Sequence, residues 1–226
     1  MSIVNIYIDD ERVMCVTDTV GYVDGKPSAL TKKKCTMYLG GSFAMAQRGR
    51  AIIIDNIEEA ACNCINIDEL VEFMPEYISR LDLGNKIIGG DGVQVFVFGL
   101  SPSERRPVAF KIARERDARV SVNRMANGYH FAPEIDKAGR SISGRLPQPA
   151  TEEIMRRIAM AQWRIQNEMK IGLCVGGVMH LTELSGSRLD RRIIGLFPDY
   201  QELSSRFCDP IKDDVIEFIS RHGKGD

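Results

Sequence analysis

The chain has 226 residues, 44% of them apolar, enough to bury a full core at the upper end of single-domain size, so one domain spanning 1–226 is expected. Lysines and arginines number 30 against 31 acidic residues, a net charge of −1, which offers no global field to gather nucleic acid or an anionic membrane. No run approaches the roughly eighteen uninterrupted apolar residues of a membrane span, and the six cysteines are dispersed rather than arranged as a disulfide framework, which fits a reducing, cytoplasmic setting.

In chain order, Val4, Ile6 and Ile8 alternate with Ile3, Asn5 and Tyr7 at the period of a strand, Asp9-Asp10-Glu11-Arg12 breaks it, and Val13 to Thr17 resumes it, which predicts a hairpin. Gly21 to Ser28 reads as a loop or short ribbon, and two short strands flank Gly40-Gly41. From Arg50 to Leu81 the period turns helical, with Ile53, Ile57 and Ala60, then Leu70, Phe73, Tyr77 and Leu81, on one face. Two helices follow from this, Pro75 kinking the second or starting a shorter one.

Val93 to Gly99 is apolar on both faces and predicts a central strand covered on both sides, with further strands at 108–112 and 119–123. Lys137 to Gln148 has no periodicity and reads as a mobile loop, a candidate lid or assembly contact. Thr151 can cap a helix whose buried face runs Ile154, Ile158, Ala161, Ile165 and Met169. Strands at 173–184 and 192–196 precede a last helix with Asp209 as N-cap and Pro210 at its first position. Runs of strands separated by helices, without βα alternation, predict an α+β fold: a four-layer αββα sandwich of two mainly antiparallel sheets.

No set of Cys and His completes four metal ligands, so neither a metal nor a cofactor is expected, and Cys62 and Cys64 read as small buried hydrophobes. His130 and His180 read as packed histidines, and His222 as a helix-end residue. The spacing of a phosphate-binding loop is absent, as is a Gly-x-Ser-x-Gly elbow.

Ser2, Asp18 and Lys34 fall at two successive intervals of sixteen residues, with Gly49 after Ala46-Gln47-Arg48 and a Gly176-Gly177-Val178 strand later in the chain. In these residues and in its element order the chain resembles the proteasome β-subunits and the bacterial proteasome-like peptidase, within the N-terminal nucleophile (Ntn) hydrolases. The resemblance implies Ser2 as nucleophile, Lys34 beside it, Asp18 holding Lys34, and the Gly49 N–H as oxyanion donor. A serine hydroxyl needs a base, and its own free α-amino group, of reference pKa about 7.7–8.0, can serve on the same residue once Met1 is removed. An ammonium at Lys34 keeps that amine neutral, and one oxyanion donor contributes about 2.7–4 kcal/mol.

Such a site cleaves peptide or other amide bonds. The resemblance has gaps: the aspartate and serine that family members carry before the Gly-Gly strand read here as Gly172 and Val175, and the family's Gly-Ser-Gly turn reads as Asn127-Gly128-Tyr129-His130. A second expectation therefore stands beside the hydrolase, a catalytically silent Ntn-fold subunit of a ring or phage structure. Both imply a homo-oligomer, and a structural Asp18–Lys34 ion pair is the minimum expectation.

Overall fold

A computed structural model describes residues 3–23, 26–48, 51–81, 93–114, 119–133, 146–169 and 175–223. Twelve strands and five helices follow in the order β1 (Val4–Ile8), β2 (Arg12–Thr17), β3 (Val20–Val23), β4 (Lys26–Leu30), β5 (Cys35–Tyr38), β6 (Phe43–Arg48), α1 (Ala51–Ala61), α2 (Ile67–Arg80), β7 (Val93–Ser101), β8 (Arg106–Arg114), β9 (Val120–Arg124), β10 (Gly128–Ala132), α3 (Glu152–Met169), β11 (Val178–Ser185), β12 (Arg188–Leu196), α4 (Tyr200–Arg206) and α5 (Lys212–His222). One five-stranded sheet has the order β10-β1-β2-β11-β12, the other β5-β6-β7-β8-β9, and β3-β4 forms a separate ribbon. Every pairing among these strands is antiparallel, so the fold is α+β with antiparallel sheets.

Burial on both faces explains the apolar strands. In β1, Val4, Ile6 and Ile8 join Cys35, Ala44, Ala46, Phe96 and Phe98 of the other sheet in one core. Ile3 and Tyr7 instead meet Met155, Ile158 and Ala159 of α3. The second sheet repeats the arrangement: Phe96 and Phe98 face the shared core, while Val95 and Val97 pack on Ile57 of α1 and Leu70, Met74 and Ile78 of α2. Each such aliphatic or aromatic side chain contributes about 1.5–3 kcal/mol on burial.

Several expectations need correction. Pro75 does not start a shorter helix: it lies inside α2, which runs from Ile67 to Arg80. On α3, Ala161 is exposed, and the buried positions are Met155, Ile158, Ala159, Gln162 and Ile165. Gln162 is buried because its amide exchanges two hydrogen bonds with that of Asn5 in β1, at 2.6 and 3.1 Å. Residues 128–132, for which no strand was expected, form an edge strand beside β1. Asp209 does not cap α5: it accepts from the Ile211 N–H, while its other oxygen takes the Tyr200 and Ser204 hydroxyls. Cys62 is exposed, and Cys64 is only half-buried, packed against the core beneath α1 and α2.

Most of the loop read at 137–148 lies outside the described residues. Among the described residues no helix is long and apolar enough to cross a membrane.

Candidate functional site

Asp18 follows β2 directly and has no exposed surface. A carboxylate there must be matched by donors or counter-charge. Lys34, just ahead of β5, supplies the charge with Nζ 2.7 Å from Oδ2. The Val20 N–H donates to the same oxygen at 3.3 Å, and the Ile3 N–H to Oδ1 at 3.1 Å. Lys34 also donates to the Val20 carbonyl at 2.5 Å, and its side chain keeps 11% exposure. The pair thus joins the head of β1, the end of β2 and the approach to β5, bringing the two sheets together at one edge.

The next residue extends the network. The Thr19 hydroxyl accepts from the Val178 N–H at 2.9 Å, its own N–H donates to the Gly176 carbonyl at 3.3 Å, and its carbonyl accepts from the N–H and hydroxyl of Thr31 at 2.8 and 2.9 Å. Gly177 holds φ at +79°, and a Cβ there would stand 2.5 Å from the Thr19 hydroxyl, so the turn into β11 admits glycine alone. A Cβ on Gly176 would overlap the Asp199 carboxylate.

Asp199, at the head of α4, accepts from the Gly177 N–H at 3.0 Å and from the Trp163 indole of α3 at 3.3 Å. Burial raises its pKa, those two donors oppose the rise, and the charge of Asp18 adds to it. The sequence reading passed over Thr19, Trp163 and Asp199. The signal for Asp199 was its place in Phe197-Pro198-Asp199, a helix-start pattern.

Of the residues expected to form a site, Asp18 and Lys34 are in contact, whereas Ser2, Gly49 and Gly172 lie outside the described residues. Val175 is buried and donates its N–H to Gln166 at 2.7 Å. His130, opposite Ile6 in the middle of β1, bonds through Nε2 to the Ala126 carbonyl at 2.7 Å, and His222 stacks on Phe218. His180, packed inside β11, has its pKa lowered to about 4 by burial and by the charge of Arg191.

Two surface grooves, of about 330 Å³ beside Ile8, Arg106 and Arg124 and about 420 Å³ beside Ser42, Ile65 and Arg105, do not include the ion pair. What the pair can do is chemical rather than topographic. It holds one partly desolvated cation next to the head of β1, where it favours developing negative charge and disfavours protonation of a nearby amine. No protein-family model matches the chain, and no curated protein matches it either.

Proposed function

We propose that the chain is an Ntn hydrolase of the proteasome β-subunit type, a four-layer αββα sandwich that cleaves peptide or other amide bonds. Ser2 is its nucleophile, Lys34 and Asp18 its charge pair, and Gly49 its oxyanion donor. The observation that supports this reading is the buried Asp18–Lys34 contact at 2.7 Å, whose carboxylate also accepts from Ile3, the residue following Ser2. A lysine desolvated at that position fits the need to keep an adjacent α-amine neutral so that it can take the serine proton.

In the proposed reaction the Ser2 hydroxyl attacks the amide carbonyl, its proton passes to the Ser2 amine, and the same amine protonates the leaving nitrogen. Water then releases the acyl group. The proposal places the protein in the cytoplasm as a homo-oligomeric ring whose contacts use the helices, without nucleic acid, membrane or cofactor.

Purified protein is first weighed intact to establish that Met1 is gone, then treated with a peptide epoxyketone, which must be captured by a hydroxyl and an amine of one residue. A single adduct on Ser2, lost in Ser2→Ala, is the expected result, and retained Met1 or absence of the adduct ends the hydrolase reading. The second reading, a silent subunit of a ring or phage structure, is favoured by one observation: buried, apolar Val175 occupies the place expected for a supporting serine. Retained Met1 together with ring assembly supports it.

A further inference from the structure

We infer that Thr17, His180 and Thr182 form an internal hydration site, which holds one or two ordered water molecules between the two five-stranded sheets. The inference does not rest on the hydrolase reading. Among the described residues, five buried side-chain atoms have no hydrogen-bond partner: Oγ1 of Thr17, Oγ1 of Thr182, Nδ1 of His180, Oε1 of Gln47 and Nε of Arg114. The last two stand on separate strands of the second sheet, β6 and β8, whereas the first three are neighbours on the first. Thr17 of β2 lies directly opposite His180 of β11, and Thr182 is the next residue of β11 on the same face.

That face is the inner one. Alternation along each strand groups Thr17 with Val13 and Cys15, and His180 and Thr182 with Leu184, and those three apolar residues belong to the core shared by the sheets. The exposures of Thr17, Thr182 and His180 are 0%, 0% and 5%, so bulk solvent does not serve them. Polar atoms cut off from both protein and solvent lose the bonds they make in the unfolded chain, and native interiors answer with bound water where two or more such atoms converge. Residues directly opposite in an antiparallel pair have Cβ atoms about 5 Å apart. A water bridging two atoms at ordinary hydrogen-bond lengths holds them at a similar separation.

The opposite sheet leaves room. Arg191, paired with Thr182 on β12, donates to the Cys35 carbonyl at 3.4 Å, which sets this part of the first sheet over the start of β5. Cys35 and its partner Ala46 are small and face the shared core, and sheets stacked about 10 Å apart accommodate a water where short side chains meet. Each hydroxyl can donate and accept. The imidazole is neutral at pH 7, since burial and the charge of Arg191 hold its pKa down at about 4, and a neutral ring nitrogen bonds water as donor or acceptor according to its tautomer.

The test counts long-lived internal waters in the full chain by oxygen-17 relaxation dispersion of the solvent. The native chain is compared with a variant carrying Thr17→Val and Thr182→Val, which keeps the shape of both side chains and removes both hydroxyls. Proteins hold roughly one buried water per 27 residues, so a chain of 226 residues carries on the order of eight, and the variant is expected to lose about one-eighth to one-quarter of the dispersion amplitude. An unchanged amplitude overturns the inference. Should the double variant fail to fold, a crystal structure of the native chain decides. Ordered water within hydrogen-bond distance of at least two of the three atoms supports the site, whereas all three bonded to protein groups, or sharing no water, overturn it.

Discussion

A carboxylate with no exposed surface keeps its charge only if its surroundings replace the water it has lost, and at Asp18 one ammonium and two backbone N–H groups do so. Removing one partner leaves the other charge buried and uncompensated. Asp18→Asn and Lys34→Met are each expected to lower unfolding free energy by about 3–5 kcal/mol in urea titrations. The double variant is expected to lose less than the sum of the two, because neither charge is then stranded. Additive losses would show that the two side chains do not act as a pair. The spacing of Asp18 and Lys34 made this contact legible in the sequence. Asp199 was not, because it stands 181 positions from Asp18 in the chain and only the folded turn at Gly176-Gly177 brings it alongside.

Helix α2 carries its own start signal. Asn66 is extended and its side-chain oxygen accepts from the Glu69 N–H at 3.0 Å, with Asp68 and Glu69 in the first turn meeting the positive end of the helix. Asn66→Ala is expected to cost about 1 kcal/mol, read as a lower thermal midpoint, and Asn66→Asp to restore most of it. The elements that announced themselves were those whose two faces differ in period or polarity: the first hairpin, the β5–β6 pair, α2 and the long α3. Edge strand β10 did not, because its GYHFA sequence mixes aromatic and polar residues and owes its conformation to pairing with β1. Pro75 sits within α2 rather than at the start of a shorter helix because packing of Leu70, Met74 and Ile78 against the sheet outweighs the lost backbone bond.

At the scale of the whole molecule, acid is expected to weaken the fold through His180. Its pKa falls from 6.5 to about 4 on folding, so the unfolded chain binds a proton that the folded chain refuses. This contribution is complete above pH 6.5, diminishes as pH falls, and is gone below about 4, a swing on the order of 3 kcal/mol. Urea midpoints at pH 7 and pH 4.5 are expected to differ less in His180→Leu than in the native chain. An equal difference would place the acid sensitivity in other groups.

The Asn5–Gln162 pair, deep between β1 and α3, has a consequence for alternatives to this fold rather than for its strength. Greasy surfaces tolerate sliding, and a rod lying on a sheet could in principle settle one turn to either side with similar contact. Displaced so, both amides would sit among hydrocarbon with nobody to answer them, a loss of several kcal/mol. Two polar groups in the driest part of the protein thus act as a locating pin, giving the docking of α3 a single address.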